Sequence, residues 1–305
     1  MKFEPYRPSL SAALARLWNR SFGGRRHFVP LTPRLFRDRI EARREFDPAD
    51  LIVAREGRDL AGFVHVGRRS EGACRRACPD WPGGAQGFVA FLVVDPERRR
   101  RGLGTELWHR GIERLRGTRQ VILPAPEENP FYGAPAGLPP LWGTPWGVAV
   151  PWEDAGTRKF LAGKGYGPRS RALQMALSVE TDEERAGRFP SAGKVRRLAS
   201  GGTTLAYYGW GQGPLCGILG FQGVDWKARR SLSVARSLLR AALDRAVREG
   251  ARTCEALAEP ELRPREHALF VEAGFRPVAA WAIYGSAGGA HLLRGPKQER
   301  GKRVK

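Results

Sequence analysis

The alternation of apolar and polar positions divides the chain into two successive sets of elements. Residues 2–6 suit a short strand, and Ser9 or Ser11 then caps a helix with apolar positions at Leu10, Leu14, Leu17 and Trp18. A second helix is expected from Thr32, with Pro33 in its first turn and Leu35, Phe36 and Ile40 on one face. Residues 51–55 and 60–66 predict two strands joined by the tight turn Glu56-Gly57-Arg58-Asp59, and residues 68–84, rich in Gly, Pro and charge, predict a loop. The most apolar run follows at 88–94, Phe-Val-Ala-Phe-Leu-Val-Val, and the breaker pair Asp95-Pro96 ends it as a buried strand. Helical spacing returns at Leu103, Leu107, Trp108, Ile112 and Leu115, and residues 120–123 form a last short strand before Pro124.

Between the strand at 88–94 and the helix lies Arg99-Arg100-Arg101-Gly102-Leu103-Gly104-Thr105. Backbone N–H groups in the first turn of a helix lack intrahelical partners, and the helix dipole favours negative charge there. Glycines let the backbone take unusual dihedrals and let an anion approach closely, and arginines add charge-assisted hydrogen bonds. The stretch therefore points to a ligand that carries a diphosphate. The third glycine of a dinucleotide-binding G-x-G-x-x-G is absent, its place being taken by Leu107.

Val94-x-Pro96 followed by Arg99-x-x-Gly102-x-Gly104 resembles the acetyl-CoA-binding motif of the GNAT superfamily of N-acetyltransferases. The order of strand, two helices, hairpin, central strand, loop and helix is similar to the opening of a GNAT domain. The resemblance implies acetyl-CoA as cosubstrate, held by Leu92, Val93, Val94, Arg99, Arg100, Arg101, Gly102, Leu103, Gly104 and Thr105. It also implies that the strands at 88–94 and 120–123 splay apart to admit the pantetheine arm. Residues 152–166 are similar to the GNAT helix that ends in F-Y-x-x-x-G-F, but Leu161 stands where many members place a tyrosine that protonates the leaving thiolate. Tyr132, Tyr166 or a water would then have to serve. The loop at 124–152, rich in Pro, Gly and aromatic residues, is long enough to act as a substrate lid. Glu127, Glu128 and Tyr132 on it are the candidate catalytic residues, with Glu97, Glu153 and Asp154 as further carboxylates.

Beyond a strand expected at 170–179 and a charged linker at 181–193, the pattern repeats in reduced form. Strands at 204–210 and 215–221, a long amphipathic helix at 231–248, a strand at 254–258 and a helix at 267–273 look like a second, degenerate GNAT domain. Ser233 occupies the place of the first loop glycine, so one working site is expected, in the first half. The expected fold class is α/β (α+β): two GNAT-like mixed sheets flanked by helices, divided as residues 1–180, a linker at 181–193, a second domain at 194–293 and a basic, disordered tail at 294–305.

Composition adds bounds to this picture. The 305 residues carry a formal net charge of +21, which asks for an anionic partner, but the arginines are spread over most elements and CoA phosphates would account for the run at 98–101. Nucleic acid is accordingly not the expected partner. No apolar run reaches the roughly 18 residues of a membrane span, and no secretory signal pattern opens the chain, so a cytoplasmic location is expected. Cys74 and Cys78 lack a second pair, so no metal site is expected. The function expected is acetyl transfer from acetyl-CoA to a primary amine on a small molecule or peptide, with a homodimer compatible with the family. The rivals are a non-catalytic CoA-binding scaffold or regulatory protein and a nucleic-acid-associated basic protein.

Overall fold

A computed structural model describes residues 1–25, 28–77, 79–133, 143–147, 149–180, 195–209, 214–285 and 291–292. The expected linker at 181–193, the expected tail at 294–305 and the middle of the 124–152 loop lie outside the described residues.

The first sheet has the strand order β1-β2-β3-β4-β5-β13, built from β1 (Lys2–Pro5), β2 (Leu51–Glu56), β3 (Asp59–Arg69), β4 (Gln86–Val94), β5 (Gln120–Ile122) and β13 (His291–Leu292). Strands place successive side chains on opposite faces, and β3 uses this fully. Phe63 joins the core under α1 (Ser11–Phe22), with Leu14, Leu17 and Trp18, while Val64 and Val66 face α4 (Leu103–Arg114). On α4, a Cβ at Gly111 would come within 3.0 Å of Val66 and 3.1 Å of Val64, so the missing side chain lets the helix lie close to the sheet. The second predicted helix begins at Thr32, whose Oγ1 accepts from Leu35 N at 3.1 Å; α2 (Pro33–Phe36) then widens into a turn at Arg37–Glu41.

The expected loop at 68–84 is shorter than the pattern suggests. β3 continues through Arg69, and α3 (Glu71–Ala77) follows. Polar contacts hold it where apolar periodicity is absent: Glu71 accepts from Arg75 at 2.7 Å, one helical turn on, and from Gly84 N at 3.0 Å.

The second sheet runs β6-β12-β7-β11-β10-β9-β8, from β6 (Val150–Pro151), β7 (Ser170–Ser178), β8 (Arg196–Ser200), β9 (Thr203–Gly209), β10 (Leu215–Gln222), β11 (Thr253–Ala258) and β12 (Arg276–Ile283). Its core lies beneath α6 (Arg229–Arg248) and α7 (Pro264–Glu272), where Leu239, Phe270 and Phe275 meet Leu205, Ile218 and Ala256. β8 and β12 were not evident in the pattern, and β12 explains why: Pro277 interrupts its alternation and sits at a register shift before Ala279.

The halves share strands. β7, which follows α5 (Ala155–Gly163) in the first half, pairs antiparallel with both β11 and β12 and so lies inside the second sheet. Trp281 and Ile283 of β12 are buried in the same core as Leu14 and Trp18 of α1, while Ala282 packs with Trp108 of α4.

Candidate active site

β4 and β5 are parallel neighbours only over Gln86↔Gln120, Gly87↔Val121 and Phe88↔Ile122. Beyond this, β4 continues to Val94 while β5 ends at Ile122. A cavity of about 660 Å³ opens along the unpaired part of β4, from Val89 to Val94. Two carbonyls of that edge are met by side chains: Asn129 Nδ2 donates to Ala90 O at 2.9 Å and Arg99 Nε to Val94 O at 3.1 Å. The register of β4 against β3 shifts at Ala90, but from Leu92 to Val94 it is regular, so the two-residue repeat turns the backbone of Leu92 the same way as that of Val94.

At the far end of β4 the chain is held in place before it turns. Asp95 accepts from Glu97 N at 3.1 Å and from Arg20 Nη2, on α1, at 2.6 Å. Arg100 and Gly102 then take left-handed φ of 63° and 83°, which bends the loop into α4. The first helical bond runs from Glu106 N to Gly102 O at 3.1 Å, so the N–H groups of residues 103–105 precede the ladder. Arg99, Arg100, Gly102, Gly104 and Thr105 all line the cavity, as do Leu92, Val93 and Val94. Arg101 is exposed outside it, and Leu103 is buried against the core shared with Leu107 and Trp108.

Gly104 tests whether this place fits a bulky diphosphate ligand. A Cβ there would sit 3.5 Å from Val94 Cγ2 and 4.0 Å from Leu92 Cδ2, at ordinary contact distance, so packing does not forbid a side chain. What the glycine leaves is open space at a helix N-terminus beside two arginines, which suits a phosphate group.

The candidate catalytic residues Glu127, Glu128 and Tyr132 follow β5. Tyr132 is buried, stacked at 6.1 Å on Trp18, and its hydroxyl shares a hydrogen bond of 3.0 Å with His65 Nδ1. Burial pushes its pKa upward, and it is not among the cavity's lining residues. Tyr166 likewise gives its hydroxyl to Val121 O at 3.1 Å, with its pKa raised by burial to about 12. Glu127 and Glu128 belong to a 3-10 turn at Pro126–Glu128, where Glu128 Oε2 accepts from Ala125 N at 3.3 Å. The side chain of Glu127 lies outside the described residues. Of the further carboxylates, Asp154 lines the cavity, with both oxygens engaged by Thr157 in capping α5 at 2.9 and 2.8 Å.

His65 is fully buried, and burial lowers its pKa to about 3. Its imidazole is therefore neutral in the folded protein at pH values where the unfolded chain would bind a proton. Between roughly pH 6.5 and 3 the unfolded state holds the extra proton, so stability falls as pH falls, by about 1.4 kcal/mol per unit once the imidazole of the unfolded chain is charged. Urea titrations of a His65→Phe variant are expected to show a shallower loss over that window than the wild type. Parallel curves would show that His65 does not set the acid response.

Tyr284 was missed by the sequence pattern. It follows β12 of the second half, yet it lines the cavity of the first, 6% exposed, beside Ala282. β12 opens on Arg276 and Pro277, its next three residues are short-chained, and only the apolar end Trp281-Ala282-Ile283-Tyr284 hinted at a buried strand.

Among the described residues, no group of three or more His, Cys, Asp or Glu is placed to hold a metal ion, and no helix is long and apolar enough to cross a membrane.

Residues 12–130, which carry β4, the Arg/Gly loop and α4, match the acetyltransferase (GNAT) family. No curated protein matches the sequence. Among solved structures, the chain is similar to a GCN5-related N-acetyltransferase from Sphaerobacter thermophilus, at 15% identity and a TM-score of 0.55, over 93% of this chain and 94% of that one. It is also similar to a tandem GNAT protein from the clavulanic acid biosynthesis pathway, at 14% identity and a TM-score of 0.54, over 93% and 97%. A third likeness is to a glucosamine N-acetyltransferase region in a fungal multi-domain GH3 beta-N-acetylglucosaminidase, at 12% identity and a TM-score of 0.59; the chain is covered over 93% but spans only 38% of that protein. The chain has the GNAT-superfamily acetyltransferase fold, laid out on two GNAT-like sheets in a manner consistent with a tandem arrangement. The family match covers residues 12–130, and the likeness to the solved structures is one of fold.

Proposed function

We propose that the protein transfers the acetyl group of acetyl-CoA to a primary amine of a small molecule or peptide, at one site in its first half. The observation that carries this is the continuity of the cavity: one space of about 660 Å³ runs from where the pairing of β4 with β5 ends to the arginine-bearing N-terminus of α4. Arg99, Arg100 and the N–H groups of the first turn of α4 would hold the diphosphate, and the apolar side chains of Leu92 and Val94 would flank the pantetheine arm. The backbone at Leu92 would offer its N–H to the thioester oxygen as negative charge develops there, a contribution worth most in a site closed to water. Pro126 and Asn129, on either side of Glu127 and Glu128, line the cavity, which makes this acidic pair our candidate to attract the amine and take its proton.

The second half supports a single site. Beyond the last β10–β11 pair, Ile218↔Ala256, the buried carboxylate of Glu266 stands 3.1 Å from where a Cβ on Gly220 would be. The Glu266 side chain thus fills space beside β10 that a ligand would need. Calorimetric titration of the protein with acetyl-CoA is expected to give one equivalent bound per chain; two equivalents would reopen the second half, and none would remove the cofactor from the proposal.

A further inference from the structure

The cavity reaches both faces of the first sheet past the edge of β4. Leu92 and Val94 pack with Trp108 on the α4 face, whereas Ala90, Phe91 and Val93 belong with the core under α1. Residues of both helices line the one space, Gly104 and Trp108 from α4 and Phe22 from α1. The diphosphate proposed at the N-terminus of α4 occupies one face and leaves the α1 face to the acceptor. Among the described residues, four of the charged groups on the wall, Arg99, Arg100, Asp154 and Lys159, lie in the Arg/Gly loop, in α5 or at its cap, on the α4 side. The fifth, Arg25, stands at the end of α1.

The chain sets Arg25 there as it leaves the helix. Gly23 N donates to Asn19 O at 2.8 Å, Gly24 takes a left-handed φ of 78°, and Arg25 N donates back to Phe22 O at 3.1 Å. The guanidinium carbon lies 6.0 Å from the centre of the Phe22 ring, and that ring meets Phe91 edge-on at 5.7 Å. Phe22 and Phe91 both line the cavity, so the charged end of the half-buried Arg25, and not its stem alone, stands at an aromatic wall. With five N–H donors, a guanidinium can serve a neighbour within the protein and a ligand together.

We infer that Arg25 is the specificity-determining residue of the acceptor side, and that the acceptor is a small amine that also bears a carboxylate, as an amino acid does. This rests on the proposed acetyl-CoA reaction. A fixed cation beside the approach of a protonated amine repels an acceptor whose charges are all positive and favours one that brings a negative group. The planar fork of a guanidinium matches the two oxygens of a carboxylate. One positive charge balances one carboxylate, whereas a phosphate is better served by several cations at a helix N-terminus, as on the α4 face. With its carboxylate held by Arg25 and its carbon skeleton against Phe22 and Phe91, the acceptor would keep its amine free to turn towards the thioester.

The test compares wild type with Arg25→Gln on matched amines. Thiol release from acetyl-CoA is measured with phenylalanine against phenylalaninamide, leucine against leucinamide, and phosphoethanolamine against ethanolamine. The intrinsic reactivity of each amine cancels between the two proteins. Wild type is expected to favour the carboxylate of each amino-acid pair. Arg25→Gln should lower kcat/KM for the carboxylates about tenfold to a hundredfold, mostly through KM, and leave the amides within about threefold. Its thermal transition should hold, and its acetyl-CoA affinity should stay within about threefold of wild type, since Arg25 stands on the other face. A second readout needs no turnover: N-acetylphenylalanine and its amide are titrated into the protein loaded with CoA, and the carboxylate should bind more tightly to wild type alone. Equal losses for carboxylates and amides in the variant overturn the inference, because they mark Arg25 as structural. Wild type that prefers the amides, or phosphoethanolamine, overturns it as well. So does a protein that binds acetyl-CoA but neither acetylates these carboxylates nor binds the acetylated product, and the acetyltransferase proposal then stands without it. Wild-type protein that does not bind acetyl-CoA overturns both.

Discussion

Arg99→Glu combined with Arg100→Glu is expected to weaken acetyl-CoA binding by a hundredfold or more while barely moving the melting temperature. Both side chains are exposed to solvent yet line the cavity at the helix N-terminus, so little of the fold depends on them. Surface substitutions of this kind usually change stability by no more than about 0.5 kcal/mol. Hydrogen bonds from a guanidinium to a phosphate contribute roughly 1.5–3 kcal/mol each, and reversing the charge adds repulsion to their loss. Two such bonds correspond to about two to four powers of ten in affinity. Calorimetry on the double variant, beside its thermal melt, decides the matter. Retained affinity would mean that the diphosphate is held elsewhere.

The second large effect concerns Trp281→Ala, expected to destabilise the protein by about 3–5 kcal/mol, as large aromatic truncations in cores do. Trp281 is 5% exposed, and its Nε1 donates to Gln174 Oε1 at 2.8 Å across β12 and β7. Gln174 in turn binds the buried carboxylate of Glu255 on β11. Removing the indole leaves a cavity and strips that amide oxygen of its donor, in a core that also holds Leu14 and Trp18 of the first half. Because one residue supports both halves, urea denaturation followed by near- and far-ultraviolet circular dichroism should give coincident transitions in wild type and variant alike. Two separated transitions in the wild type would contradict the shared core, and a negligible shift in the variant would contradict the packing argument.

Much of this molecule was legible in its sequence where information is local. The strand β4, the Arg/Gly loop and α4 form one continuous segment, and each announces itself by apolar run, breaker and helical spacing within a few residues. The short helix α3 was hidden because ion pairing, and not periodicity, sustains it. Nothing near Tyr132 in the sequence pointed to His65, whose hydrogen bond to it spans 67 positions of the chain. Tyr284 lay further out of reach. Its strand contains a proline at a bulge, and its place in the cavity depends on which sheet accepts β7 and β12. Pairing of distant strand edges leaves little trace in either partner's own sequence.

The interleaving of strands also governs how the protein is made. β7 ends at Ser178, while its partners β11 and β12 begin at Thr253 and Arg276. As synthesis proceeds from the N-terminus at roughly 5–20 residues per second, a nascent chain holds β7 for several seconds before either neighbour exists. During that interval both hydrogen-bonding edges of an apolar strand are open, which invites pairing with other chains. Ribosomal stalling between these points should therefore leave fragments that aggregate, even though they already contain the whole Arg/Gly loop.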